Sequence, residues 1–168
     1  PNAFLELRTK STQIRGLLDR PVVENCIVAF SLSPENIVKS LEAKTASLSK
    51  RIDALQKLQK KGWLIGLRFD PLIYCDSYQE DYSNLFKEVF SVLNINEIHS
   101  VSLGGFRMPE KFFKNMVKLY PEEKLFASTL QENDGMVSYE KILEQEMLAF
   151  CEHELLTYIP RKKYFPCF

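Results

Sequence analysis

The sequence predicts an α/β fold, namely a partial parallel (β/α) barrel of about four βα units followed by a C-terminal helix. Short apolar runs alternate with helical patterns along the chain, and this alternation is typical of strands joined by parallel crossovers. Two stretches of these runs, residues 27–30 and 63–67, are continuously apolar, as expected of parallel strands covered on both faces. A content of 45% hydrophobic and 26% charged residues is typical of one globular unit with its own core.

The predicted strands are the apolar runs at residues 4–9, 26–32, 63–69 and 98–103. Helices are predicted over residues 34–41, 47–61, 78–93, 109–119 and 138–158. Ser33 is predicted to cap the first helix, since a Ser before a Pro and an acidic residue is a common start. Residues 124–128 are predicted as a short strand and residues 131–135 as the tip of a hairpin.

The helix over residues 47–61 has the clearest pattern. Apolar residues recur at the spacing of one buried helical face, and Gly62 provides the stop; they are Leu48, Ile52, Leu55 and Leu58. The charged residues of this helix are predicted to form a solvated surface; they are Lys50, Arg51, Asp53, Lys57, Lys60 and Lys61.

The charge balance and the cysteines limit the classes of function. Lys plus Arg and Asp plus Glu both number 22, so any nucleic-acid contact requires a local patch. No apolar run reaches the roughly 20 residues that a spanning helix needs, so we expect no membrane partner and a cytoplasmic location. The cysteines are too widely spaced for a paired-cysteine metal motif and are expected to be reduced thiols; they are Cys26, Cys75, Cys151 and Cys167.

Polar residues follow each predicted strand, at the end where a parallel sheet carries its functional groups. The candidates are Lys10 at the end of the first strand, Ser31 and Ser33 at the end of the second, Arg68 and Asp70 at the end of the third, and Arg107 at the end of the fourth. Because carboxyl ends of parallel strands meet at one edge, we expect these side chains to share one rim of the sheet.

Each rim residue also has a structural interpretation. Lys10 would be a solvated strand end, Ser31 a core hydroxyl bonded to backbone, and Ser33 the helix cap. Arg68 and Asp70 are two residues apart on one strand, so they share a face and would form an ion pair that orders the rim. The glycine pair after the fourth strand does not form a G-x-G-x-x-G dinucleotide fingerprint.

Three further features are weaker candidates. Residues 151–154 place one Cys and one His on a helix, which is a thin basis for a metal site, so no metal ligands are predicted. His99 stands near the start of the fourth strand, away from the rim, and is expected to be structural. Residues 161–165 mix basic and aromatic side chains, which would suit nucleic acid but is usual for a solvated segment.

A series of short segments resembles the later strands and helices of spore photoproduct lyase-like DNA-repair proteins, in the radical S-adenosylmethionine superfamily. The segments are Leu7-Arg8-Thr9-Lys10, Phe30-Ser31-Leu32-Ser33, residues 41–52, residues 66–73 and Phe106-Arg107-Met108-Pro109. The resemblance covers residues 4–126 and rests on the order of the series. Residues 131–135 resemble a shortened counterpart of the family's DNA-inserting hairpin.

The resemblance implies a lyase in which cluster-bound S-adenosylmethionine yields a radical that reverses a thymine photolesion in DNA. In that family a lysine matching Lys10 and a serine matching Ser31 help hold the cofactor. Ser33, Arg68 and Asp70 are added as cofactor-binding candidates by position on the rim, and Arg107 is the nucleic-acid-binding candidate.

The C-x-x-x-C-x-x-C motif that holds the family's [4Fe-4S] cluster does not occur in this chain. Residues 1–168 are therefore expected to form the C-terminal part of a partial barrel, to contain no catalytic residue and to be inactive alone. Two alternatives stay open, namely a cofactor- or nucleic-acid-binding module of a protein with other chemistry, and a half-barrel that acts with a partner. The strand at residues 4–9 should then be an exposed edge that pairs with a missing N-terminal half or self-associates.

Overall fold

The computed structural model describes residues 3–167. The helices and strands follow in the order β1 (Leu5–Thr9), α1 (Arg15–Leu18), β2 (Cys26–Ser31), α2 (Glu35–Leu41), α3 (Leu48–Lys61), β3 (Leu64–Leu72), α4 (Tyr78–Val92), β4 (Ile98–Gly105), β5 (Arg107–Pro109), α5 (Glu110–Leu119), β6 (Leu130–Asn133), β7 (Met136–Tyr139), α6 (Lys141–Tyr158) and β8 (Tyr164–Pro166). Short 3-10 helices cover Ile95–Glu97, Lys124–Ala127 and Arg161–Lys163.

The main sheet has five parallel strands in the order β1-β2-β3-β4-β8. The mixed α/β class and the four predicted strands are confirmed. The fifth strand, β8, was not predicted because it has three residues and follows a basic run. Over residues 3–167, β1 and β8 each pair with one neighbour only, so the described sheet is open and a barrel remains a prediction.

One face of this sheet forms the hydrophobic core. Sequential parallel strands joined by right-handed crossovers place their helices on the same side. Strand residues such as Phe30, Leu67 and Val101 pack there against α3, α4 and α6, which contribute Leu55 and Phe86 among others. The opposite face carries charged and small side chains, and it is called the polar face below.

Helix α3 confirms the predicted buried face and corrects one of its residues. Leu48, Leu55 and Leu58 are buried, and Gly62 ends the helix in the left-handed region at φ 97°. Arg51, however, is fully buried rather than part of the solvated surface. It lies three residues after Leu48 and four before Leu55, so it shares their side of the helix.

Three other local predictions are wrong. Ser33 does not cap α2, which begins after Pro34 without a side-chain cap. The segment predicted as a strand at residues 124–128 is a 3-10 helix. The last helix starts at Lys141, because the residues before it pair in β7.

A second sheet contains the predicted hairpin. Strands β5, β7 and β6 are antiparallel in that order, and the β6–β7 turn is formed by Asp134 and Gly135, both at positive φ. This layer lies between β4 and β8 in the chain. Among residues 3–167, no helix combines the length and the apolar character needed to cross a membrane.

Candidate functional site

Arg68 and Glu6 form an ion pair across the middle of the polar face. The Arg68 side chain is nearly fully buried, and its Nη2 and Nε atoms lie 2.6 and 3.1 Å from the two carboxylate oxygens of Glu6. Its remaining N–H groups donate to the Ser100 hydroxyl and to the carbonyls of Ser100 and Leu67. The hydrogen bonds that Arg68 donates to Glu6 hold the pKa of the Glu6 carboxyl below its usual value, although burial opposes the shift.

The predicted ion pair between Arg68 and Asp70 is wrong. The two residues share the polar face as expected, but each pairs with β1 instead of with the other. Gly66 and Ala29 carry almost no side chain, which leaves room for the Arg68 guanidinium to bend back over them toward Glu6. The small residues therefore decide which carboxylate Arg68 meets.

A second group lies nearer the carboxyl ends of the strands. Arg8 forms an ion pair with Asp70, and Arg8 Nε donates to the Ser31 hydroxyl at 3.2 Å. The Ser102 hydroxyl donates to Asp70 at 2.9 Å. Arg8 thus links the ends of β1, β2 and β3, and its role was not singled out from the sequence.

A third group surrounds Glu42, which follows α2. Lys10 Nζ lies 2.5 Å from Oε1 of Glu42, and the Ser33 hydroxyl donates to the same oxygen at 3.3 Å. Arg51 Nη2 lies 2.5 Å from Oε2. Burial raises the pKa of the Glu42 carboxyl, but the bonds from Lys10 and Arg51 outweigh it, so the net shift is downward.

The structure therefore brings four of the five predicted cofactor residues, Lys10, Ser31, Ser33 and Asp70, to neighbouring strand ends, whereas the Arg68 side chain bends back to the middle of the polar face. Ser31 connects the second and third groups, because its hydroxyl accepts from Arg8 while its carbonyl accepts from Arg51 Nη1 at 3.1 Å. The residues that the prediction missed are Arg8, Glu42 and Arg51. Arg51 had a detectable signal, namely its place on the buried face of α3.

Arg107 lies apart from these groups. It is exposed on β5 and lines a cavity of about 550 Å³ between the antiparallel layer, the ends of β4 and β8, and α6. Lys141 and Arg161 also line the cavity, and Arg161 forms an ion pair with Glu152 there. The rim candidates and the nucleic-acid candidate therefore belong to different parts of the fold.

The basic and aromatic residues at 161–165 form a 3-10 helix and the start of β8, although Arg161, Lys162 and Phe165 are exposed to solvent. Lys163 Nζ donates to the carbonyls of Ile95, Asn96 and Ile98 at 2.6 to 2.8 Å, which ties the start of β8 to the start of β4. Phe165 lies on the polar face, 5.2 Å from the Arg68 guanidinium, with 44% of its surface exposed.

The other sequence candidates lie away from the rim. His99 is near the start of β4, as expected, and its ring centroid is 5.1 Å from that of Phe4. Cys151 is buried, which raises the pKa of its thiol to about 12. Within residues 3–167, no three His, Cys, Asp or Glu side chains are grouped so that they could hold a metal ion.

Comparison with known proteins shows the family. A family model described as spore photoproduct lyase matches residues 2–146. The chain belongs to the spore photoproduct lyase family. It is 25% identical to the spore photoproduct lyase of Bacillus subtilis (strain 168) over an alignment of 170 positions that covers 95% of this chain and 49% of that protein. It is also 23% identical to the spore photoproduct lyase of Clostridium acetobutylicum over 117 residues, or 70% of this chain and 34% of that protein.

Solved spore photoproduct lyases share the fold. A mutant with dinucleoside spore photoproduct matches at a TM-score of 0.83 and 17% identity, covering 97% of this chain and 50% of that one. A second mutant, with bound AdoMet and dinucleoside spore photoproduct, matches at a TM-score of 0.81 and 16% identity with the same coverage. The chain thus spans about half the length of the Bacillus subtilis protein and of the solved structures, and about a third of the Clostridium acetobutylicum protein.

Proposed function

We propose that residues 1–168 form the C-terminal part of a radical S-adenosylmethionine lyase that repairs thymine photolesions in DNA, built on a partial (β/α) barrel. Family membership supports this proposal, as does the related structure that contains AdoMet and dinucleoside spore photoproduct. S-adenosylmethionine supplies radical chemistry when it is bound, and the [4Fe-4S] cluster that this chemistry needs would be held by residues outside this chain. DNA as substrate supports a cytoplasmic location.

The observation that carries the cofactor proposal is the set of donors at the ends of β1 and β2. Lys10 Nζ has three N–H donors and uses one on Glu42, so two can reach the carboxylate of an incoming amino-acid group. The Ser31 hydroxyl accepts from Arg8 and keeps its own proton to donate. These groups fit the polar end of S-adenosylmethionine.

The other rim residues would act mainly by holding these donors. All five N–H groups of Arg68 are engaged within the sheet, so its role is to order β1, β3 and β4. Asp70 fixes Arg8, which contacts Ser31. Ser33 supports Glu42.

The DNA contact is proposed for the antiparallel layer. Arg107 is exposed on β5, and Lys141 begins α6 beside the same cavity. Cations at this position would attract the phosphate backbone locally, although the whole chain has no net charge. The four-residue strands of the β6–β7 hairpin favour a second candidate, a cofactor- or nucleic-acid-binding module that serves other chemistry.

The edge of the sheet supports a partner for β1. Leu5 and Leu7 on β1 are 59% and 40% exposed, and β1 pairs only with β2 over residues 3–167. Such an edge is completed by another strand. We propose that an N-terminal half of the barrel, or a second copy of this chain, covers it.

Titration of S-adenosylmethionine into the purified protein tests the cofactor proposal. Lys10→Ala should weaken binding by roughly tenfold to a hundredfold, the effect of losing a charge-assisted hydrogen bond. The control is Lys87→Ala, which removes an exposed lysine from α4. Equal affinity in the Lys10→Ala variant, with an unchanged thermal melt, would show that the rim is structural only.

A further inference from the structure

Arg51 is a fully buried arginine on a helix whose neighbouring positions Lys50 and Asp53 are exposed. Its Nε donates to the Ala46 carbonyl at 2.9 Å and its Nη1 to the Ser31 carbonyl at 3.1 Å. Its Nη2 lies 2.5 Å from Glu42 and 2.7 Å from the Thr45 hydroxyl. Arg51 therefore fastens the segment between α2 and α3 to the carboxyl end of β2.

Stability alone does not explain this buried pair. Removing a guanidinium and a carboxylate from water costs free energy that their attraction returns only in part. Well-packed apolar residues in place of such a pair are often as stable or more stable. What the pair provides is a carboxylate at a fixed position, since 12% of the Glu42 side chain and none of the Arg51 side chain is exposed.

The fixed carboxylate orients Lys10. Oε2 of Glu42 is occupied by Arg51, while Oε1 accepts from Lys10 and Ser33. The Lys10 side chain is 36% exposed, so its ammonium is held at one point yet reachable from solvent. A lysine on a flexible four-carbon stem would otherwise sample many positions, and fixing it removes that entropic cost from binding.

The charges of the group also define its ligand. Lys10 and Arg51 carry one positive charge each and Glu42 carries one negative charge, so the group has a single positive charge in excess. Arg51 is buried and its Nη2 donates to both Glu42 and Thr45, so a ligand can reach the excess positive charge only at the Lys10 ammonium. One singly charged anionic group, such as a carboxylate, balances it.

We propose that Glu42, held in place by Arg51, is a positioning residue that aims Lys10 at the carboxylate of the bound ligand. This inference rests on the proposed cofactor role of Lys10. It assigns to Arg51 and Glu42 an effect on ligand selectivity that is separate from their effect on folding.

A pair of ligands isolates the carboxylate. The affinities of S-adenosylmethionine and of decarboxylated S-adenosylmethionine are measured by titration calorimetry. The affinity for S-adenosylmethionine divided by that for the decarboxylated form reports the contact that Lys10 makes with the carboxylate. Glu42→Asp keeps the net charge of the group but withdraws the carboxylate by one methylene. It should lower the ratio about threefold to tenfold, as for one lost hydrogen bond of ordinary net strength.

The same substitution in a Lys10→Ala background shows whether Glu42 acts through Lys10. If it does, Glu42→Asp leaves the ratio unchanged in the Lys10→Ala background, because the lysine through which Glu42 acts is already absent. Thr45→Val, at an exposed position that contacts both Arg51 and Glu42, should give a smaller fall in the same direction and guards against a misfolded Glu42→Asp variant. Glu80→Gln, on the exposed surface of α4, is the control.

The outcomes separate the two proposals. A ratio near one in the unsubstituted protein would overturn the cofactor role of Lys10 and this inference with it. A large ratio that survives both Glu42→Asp and Thr45→Val would leave the role of Lys10 intact and overturn the positioning role alone. A fall of the same size with and without Lys10 would also overturn it, because Glu42 would then act by another route.

Discussion

Replacing Gly66 with alanine perturbs the polar face at one methyl group. A Cβ at this position would lie 2.8 Å from Nη2 of Arg68 and 3.0 Å from Cβ of Ala29. The backbones of Ala29 and Arg68 are held by β-sheet pairing, so the end of the Arg68 side chain is the part that can move. The guanidinium therefore has to leave its place over Gly66. The substitution should therefore break the contacts of Arg68 with Glu6 and Ser100.

The size of the effect follows from burial. Breaking a buried ion pair typically costs about 3–5 kcal/mol. The Glu6 side chain is 35% exposed, so water recovers part of that loss, and we expect Gly66→Ala to lower the free energy of unfolding by about 2 kcal/mol.

Urea denaturation followed by circular dichroism measures this change. The control is Gly16→Ala in α1, where an added Cβ meets no atom within 4 Å and a neutral or slightly stabilising effect is expected. In an Arg68→Met background, Gly66→Ala should cost less than it does alone, because the displaced guanidinium is already absent. A loss below about 0.5 kcal/mol in the unsubstituted background would refute this reasoning.

Two further predictions concern pH and association. The pKa of the Glu42 carboxyl is lowered from 4.5 in the folded chain, so the ionised carboxylate contributes stability above pH 4.5 and this contribution is lost as the pH falls through the folded pKa. Urea denaturation at several acidic pH values should show this loss of stability, and Glu42→Gln should make the dependence on pH smaller. The exposed β1 edge should cause self-association at high concentration; Leu7→Lys should reduce it in sedimentation velocity, whereas Val92→Lys, an exposed apolar position on α4, should not.

The main sheet could be predicted because its strands are local apolar runs. β2, β3 and β4 each coincide with a short apolar run in the sequence, and the helices between them show apolar residues at regular spacing. β8 could not, because three residues with a proline carry no periodic signal, and the strand exists through pairing with β4 far away in the chain. Short elements of this kind depend on tertiary contacts more than on their own residues.

The rim could be located but its pairings could not. Strand ends place Lys10, Ser31 and Asp70 on one edge whatever the details of side-chain packing. Which carboxylate Arg68 meets depends on the space over Ala29 and Gly66, and no pattern along the chain reports that space. The burial of Arg51, in contrast, was predictable, because its spacing from Leu48 and Leu55 places it on the buried side of α3 despite its charge.

The position of the antiparallel layer has a consequence for how this family can change. The chain leaves the parallel sheet after β4, forms the layer and α6, and returns as β8, so the layer is one long excursion between adjacent strands. The rim groups lie on β1, β2, β3, β4, the segment before α3 and α3 itself, none of which belongs to that excursion. The excursion can therefore lengthen, shorten or exchange its hairpin while the rim keeps its geometry, so the proposed DNA contact is free to vary independently of the proposed cofactor site.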